Sequence, residues 1–112
     1  MTFRLGDVVL IRMQFHQASG SKIRPALVLL DSGDDDFIAA PITSRPIVSE
    51  HDLALVRWTA AGLNVASSVR IHKLTVLSKA DVARRLGSLA EVDRESLIEV
   101  LCRSFCPRSG GK

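Results

Sequence analysis

The chain of 112 residues contains no tyrosine, one tryptophan and four phenylalanines. A surface that holds nucleic acid chiefly by stacking bases on aromatic rings is therefore excluded, and any polyanion would be held through phosphate contacts and hydrogen bonds. Cysteine is nearly as scarce: Cys102 and Cys106 stand four apart in an expected helix, with no third or fourth ligand nearby. That spacing does not make a zinc site, and no metal is expected. No apolar run approaches the roughly 18 residues of a membrane span. The first residues, Met1 to Asp7, lack the basic start and apolar stretch of a secretory signal, so the expected location is cytoplasmic, with no membrane partner. Charge of one sign is scarce too. Fifteen basic and twelve acidic residues give a net charge of +3, which permits nucleic-acid binding without requiring it.

What is present is a globular composition, 46% hydrophobic, at a length that supports one core. A single domain over 1–106 is expected, followed by a polar, glycine-rich and flexible tail over 107–112. Val8 to Met13, Ile23 to Leu30 and Phe37 to Ile42 read as strands, the first too continuously apolar to have only one covered face. Leu53 to Trp58, Ser67 to Ile71 and Leu74 to Leu77 read as further strands, separated by turns such as Asp31 to Asp36 and Ala60 to Asn64. Strands at this spacing predict a mainly β fold, a small sandwich or barrel. Two helices are expected at the end. Ser78 to Asp81 resembles a capping box opening a short helix to about Leu86, closed by Gly87. Asp93 suits the N-cap of a second, amphipathic helix with Leu97, Leu101 and Phe105 as its buried stripe, Ile98 and Cys102 beside them, and Pro107 as its stop.

The candidate chemistry lies at strand ends. Arg24 precedes Pro25 and the apolar run Ala26 to Leu30, which sets it at the mouth of a buried strand, and Thr43 and Ser44 close the next apolar run with two hydroxyls. A cation and hydroxyls at adjacent strand ends make an anion site. Arg24, Arg45, Arg57, Arg70 and Lys73 lie on or beside expected strands, and gathered on one face they would make it basic. The competing reading gives Arg24 a salt bridge to Asp7 or Asp31 and leaves Thr43 and Ser44 to cap a turn.

These blocks, Gly6-Asp7-Val8-Val9, Arg24-Pro25-Ala26-Leu27-Val28, Ala40-Pro41-Ile42-Thr43, Ser68-Val69 ahead of Leu74-Thr75-Val76, Gly87-Ser88-Leu89 and an amphipathic terminal helix, resemble the MazF/PemK (Kid) toxins of type II toxin–antitoxin systems from about Leu5 to Phe105. The resemblance implies an SH3-like small barrel with a C-terminal helix, a homodimer, a cognate antitoxin as partner, and cofactor-free endoribonuclease cleavage of single-stranded RNA at short sequences. It places the family's essential arginine on Arg24 and its essential threonine on Thr43. A further arginine and aspartate of the Kid-type branch fall on Arg70 and His72. The chain departs from the pattern twice. Ser19 stands where many relatives carry a glutamate, with no acid between Asp7 and Asp31, and His72 replaces the Kid-type aspartate.

RNA supplies its own nucleophile, the 2′-hydroxyl. A protein need only accept that proton, return one to the 5′-oxygen and hold the charge on the phosphate. Arg24 suits the last task and Thr43 can hold a phosphate oxygen. His72, or His16 in the loop before Arg24, suits proton transfer near neutral pH. His16, Lys22, Ser44, Arg45, Arg70 and Lys73 complete the expected RNA contacts. Two alternatives stand beside this reading: a non-catalytic SH3-like binding module, and a gyrase-directed toxin like CcdB, against which the chain ends without the terminal tryptophan that CcdB uses.

Overall fold

In a computed structural model, residues 1–14, 21–46 and 49–107 are described. Seven strands form one antiparallel sheet: β1 (Asp7–Gln14), β2 (Ser21–Leu30), β3 (Asp36–Thr43), β4 (Asp52–Ala54), β5 (Ser68–Arg70), β6 (Thr75–Ser78) and β7 (Val82–Ser88), followed by one helix, α1 (Glu91–Phe105). The order is β4-β5-β3-β2-β1-β7, with β6 also on β3. β3 is the fork. Asp36 to Ala39 pair with β6, while Ile42 and Thr43 pair with β5. Register shifts between β1 and β7, and one between β2 and β3, curl the sheet. It stops short of closure, since β4 and β7, at the two ends of the order, do not pair with each other. The small-barrel class expected from the sequence holds, as an open barrel.

The unbroken apolar runs of β1 to β3 have a direct cause: both faces of the central strands are covered. One face carries Val8, Leu27, Ala40 and Ile42 under Leu53, Leu63, Val69 and Ile71 and under Leu97 and Val100 of α1. The other carries Val9, Ile11, Ala26, Val28 and Ala39 beside Phe3 and Phe37, whose rings meet at 5.3 Å. Burial of these fully enclosed aliphatic side chains stabilises the fold by about 1.5–3 kcal/mol each.

Four local expectations are corrected. Ser78 does cap, its Oγ accepting from the Ala80 N–H at 3.2 Å, but only a single 3₁₀ turn follows (Lys79–Asp81), and Val82 to Ser88 is a strand. Its place on the open edge of β1 supplies a whole ladder, which local capping cannot match. The fourth strand ends at Ala54 instead of Trp58, because the N–H groups of Val56 and Arg57 turn away to the Asp93 carboxylate at 2.9 and 2.7 Å. Asp93 is accordingly not the N-cap. The helix begins at Glu91, capped at Ala90, and Asp93 is buried in its first turn. The buried stripe of α1 therefore runs through Asp93, Leu97 and Val100, while Ile98, Cys102 and Phe105 are exposed. Ser104 continues the line, its Oγ 2.6 Å from His51 Nδ1. Two polar residues at the ends of the docking face turned it away from the apolar periodicity.

Candidate functional site: a basic rib between two grooves

Pairing of β2 with β3 ends at Ala26 opposite Pro41. Pro25 and Pro41 have no N–H to donate, so the ladder loses its donors there. Carried on two residues, the same register sets Arg24 against Thr43. Together with Pro25, Ile42 and Arg45 these two line both of two open grooves, of about 440 and 430 Å³. The pair thus stands on a rib between two cavities.

The first groove is the uncovered end of the second core: Ile11, Ala26, Ala39 and Leu77 form an apolar floor, and Arg24, Arg45, Arg70, Lys73 and Thr43 surround it. The second lies toward the segment after β4 and is bounded by Ser44, Gly62, Asn64, Ser67 and Arg84. No carboxylate is among the described residues lining either groove. Arg24, Arg45, Lys73 and Arg84 make no ion pair among the described residues. The acids that might have neutralised Arg24 are engaged elsewhere, Asp7 with Arg85 at 3.3 Å and Asp31 with Lys79 at 3.1 Å. An unneutralised cluster in a concavity focuses a positive potential there.

Thr43 does cap a turn, its Oγ1 accepting from the Arg45 N–H at 3.1 Å. That bond uses only a lone pair and leaves the hydroxyl proton available to an anion. Ser44 lines the second groove. Lys22 is exposed on β2 opposite Met13 and lines neither. Arg70 and Lys73 line the first groove, whereas His72, on the turn between them, does not. The His72 imidazole lies on the Asp52 side, Nδ1 3.8 Å from Oδ1, with its ring 5.8 Å from that of His51. His16 and Ser19 fall outside the described residues. Of the five cations expected on one face, four surround the first groove, and Arg57 lines neither groove. Arg84 is not among the expected contacts, because the sequence places it in a helix; Val82-Ala83-Arg84-Arg85-Leu86 shows no period-two alternation that would mark a strand.

An open antiparallel barrel with a terminal helix and a basic cleft at its strand ends defines a class of small β protein. The sequence narrows the class. Residues 4–105 match the family of PemK-like, MazF-like toxins of type II toxin–antitoxin systems, and the chain belongs to that family. Among solved structures it is similar to the MazE–MazF complex from Deinococcus radiodurans (18% identity, 92% of this chain and 95% of that one, TM-score 0.72). It is also similar to the Mycobacterium tuberculosis toxin MazF-mt6 (22%, 87% and 95%, 0.67), and to a mycobacterial endoribonuclease in complex with its cognate antitoxin (14%, 92% and 95%, 0.67). At these identities the likeness is one of fold. No curated protein sequence matches the chain significantly.

Proposed function

We propose that the chain is the toxin of a type II pair and acts as a metal-independent endoribonuclease, cleaving single-stranded RNA at short sequences by attack of the 2′-hydroxyl on the adjacent phosphate. The observation that supports this is the rib: a guanidinium and a hydroxyl from remote segments, just beyond the last β2–β3 pair, both lining two grooves with no carboxylate among the described residues that line them. Arg24 forks onto two phosphate oxygens and stays charged throughout. Thr43 donates its hydroxyl proton to an oxygen of the same phosphate. Arg70 and Lys73 offset the charge that builds up in the transition state. The product pair is a 2′,3′-cyclic phosphate and a free 5′-hydroxyl. Proton transfer falls to His72, next to the groove-lining Arg70 and Lys73, with His16 as second candidate. The protein works as a homodimer, and its partner is a cognate antitoxin that covers the basic grooves.

Purified protein incubated with a long RNA in EDTA, with 5′ ends mapped, tests the reading. Discrete cuts with 5′-hydroxyl ends are expected. Arg24→Ala should lower the rate by about 10²–10³ while leaving the melting temperature unchanged, since the Arg24 side chain makes no hydrogen bond or ion pair among the described residues. RNA left intact by the native protein, or cut at full rate by Arg24→Ala, overturns it; inhibition of gyrase without cleavage would point to the contact-only alternative.

A further inference from the structure

Asp52 is one of three buried aspartates, with Asp7 and Asp93. It sits on β4 directly opposite Arg70 of β5, and its side chain is 2% exposed. Its Oδ1 lies 3.6 Å from Arg70 Nε and 3.8 Å from His72 Nδ1. A buried carboxylate is costly unless cations and donors compensate it, and a hydrophobic residue in that place is often as stable or more so. Arg70 is divided in a telling way. Its Nε is buried and makes no hydrogen bond among the described residues, yet a third of the side chain is exposed and the residue lines the first groove. Arginine carries five N–H donors in a rigid fork. A carboxylate behind Nε leaves the two outer nitrogens for a ligand and fixes the plane in which they lie.

We infer that Asp52 is a positioning residue: from the buried side of the sheet it holds Arg70 so that the outer edge of the guanidinium meets the transition-state phosphate in the first groove. At 3.6 Å the contact is one between charges, wider than a hydrogen bond, and His72 shares the same oxygen. One carboxylate therefore sets Arg70, which precedes the turn at 71–73, and His72 within it. The inference rests on the ribonuclease reading and deepens it. Asp52 touches no RNA and acts only through its neighbours.

The expected signature is a split between kcat and KM. Replacing Asp52 leaves the cationic charge in the groove, so RNA is still attracted, but the guanidinium loses its fixed place, and a misplacement of about 1 Å costs about 10²-fold in rate. Asp52→Asn should lower kcat about 10–100-fold with KM within about twofold and a cooperative melt retained. The decisive arm is the cycle with Arg70→Ala: in that background Asp52→Asn should cost little or nothing more, since its route to the reaction is gone. If Asp52→Asn does not fold, Arg70→Lys replaces it. Lysine keeps the charge but has no Nε to tether, and should show the same kcat-selective loss. Full activity in Asp52→Asn, a loss confined to KM, or additive losses in the double variant each overturn the inference while leaving the ribonuclease reading intact. Native protein that cuts no RNA overturns both.

Discussion

Asp93 offers the sharpest test of how the fold holds the grooves. Its carboxylate is 1% exposed and accepts from the main-chain N–H of Val56 at 2.9 Å and of Arg57 at 2.7 Å. Neither N–H has another acceptor among the described residues. The carboxylate also lies in the first turn of α1, where the helix dipole favours negative charge. Hydrogen bonds to a charged acceptor contribute about 1.5–3 kcal/mol each, and a buried donor left unmet costs about as much. Asp93→Ala should therefore destabilise by about 3–5 kcal/mol, a large share of the roughly 5–15 kcal/mol that holds a domain together. For a chain of this length that is a fall of about 15–20 °C in melting temperature. Urea titration followed by circular dichroism reads it as a drop in midpoint at constant m. Asp93→Asn keeps one acceptor but turns an amide N–H toward a donor, and should cost about 2 kcal/mol. Glu91→Ala, exposed in the same turn, should change stability by less than about 0.5 kcal/mol. An Asp93→Ala protein within about 1 kcal/mol of the native one, or no worse than Glu91→Ala, refutes the reasoning.

Gly62 has φ +91°, and a Cβ there would lie 2.6 Å from the Leu86 carbonyl oxygen. Gly62→Ala should cost about 3 kcal/mol or more by urea titration. Gly33→Ala, with φ +102° and open space around it, should show only the backbone share of about 1–2 kcal/mol. Acid should weaken the fold through Asp7 and Asp31. Burial pushes the Asp7 carboxyl up, but the Arg4 N–H, Ser88 and the charged Arg85 together outweigh it and hold it below its usual value of 3.8. Asp31 is lowered by the N–H groups of Phe3 and Gly33, with Lys79 adding to them. Both folded values lie below the unfolded ones, so the unfolded chain binds more protons. The contribution is present in full well above pH 4 and disappears as pH falls below about 4 through the folded values; unchanged melting between pH 6 and pH 3 would contradict it. RNA affinity should fall with salt. If Arg24, Arg45, Arg70, Lys73 and Arg84 each meet a phosphate, the log–log slope is about −3.5, and Arg84→Ala should make it shallower by about 0.7; a slope near zero would mean that the grooves do not carry the backbone.

Elements whose signal is local were legible in the sequence. β1 to β3 announced themselves by apolar runs, and the ends of those runs named Arg24 and Thr43 before any geometry existed. Where a tertiary partner competed with a local preference, the sequence misled. Ser78 is a real cap, but the vacant edge of β1 turned the following residues into β7 and carried Arg84 into the second groove. Asp93 has the chemistry of an N-cap and uses it on the N–H groups of a different segment. Asp52 gave no signal at all, since its meaning lies in the β4–β5 register that sets it opposite Arg70.

On the ribonuclease reading, the absence of carboxylates from both grooves shapes the chemistry. An acid beside the phosphate would accept the 2′-proton readily but would also repel the substrate and pair with Arg24. This lining gives up that base near the scissile bond and keeps four cations, Arg24, Arg45, Lys73 and Arg84, without an ion pair among the described residues. The nearest carboxylate tied to the site, Asp52, is displaced behind the sheet, where it can orient Arg70 without facing RNA. Such a site favours holding and stabilising the phosphate over extracting the proton. Its rate should then depend more steeply on Arg24 than on any histidine: Arg24→Ala should cost about 10²–10³, while His72→Ala should cost less than about 10² and leave a residual rate that rises with pH as hydroxide takes over the proton. A His72→Ala protein as inactive as Arg24→Ala would reverse that order and make proton transfer the step on which this site is built.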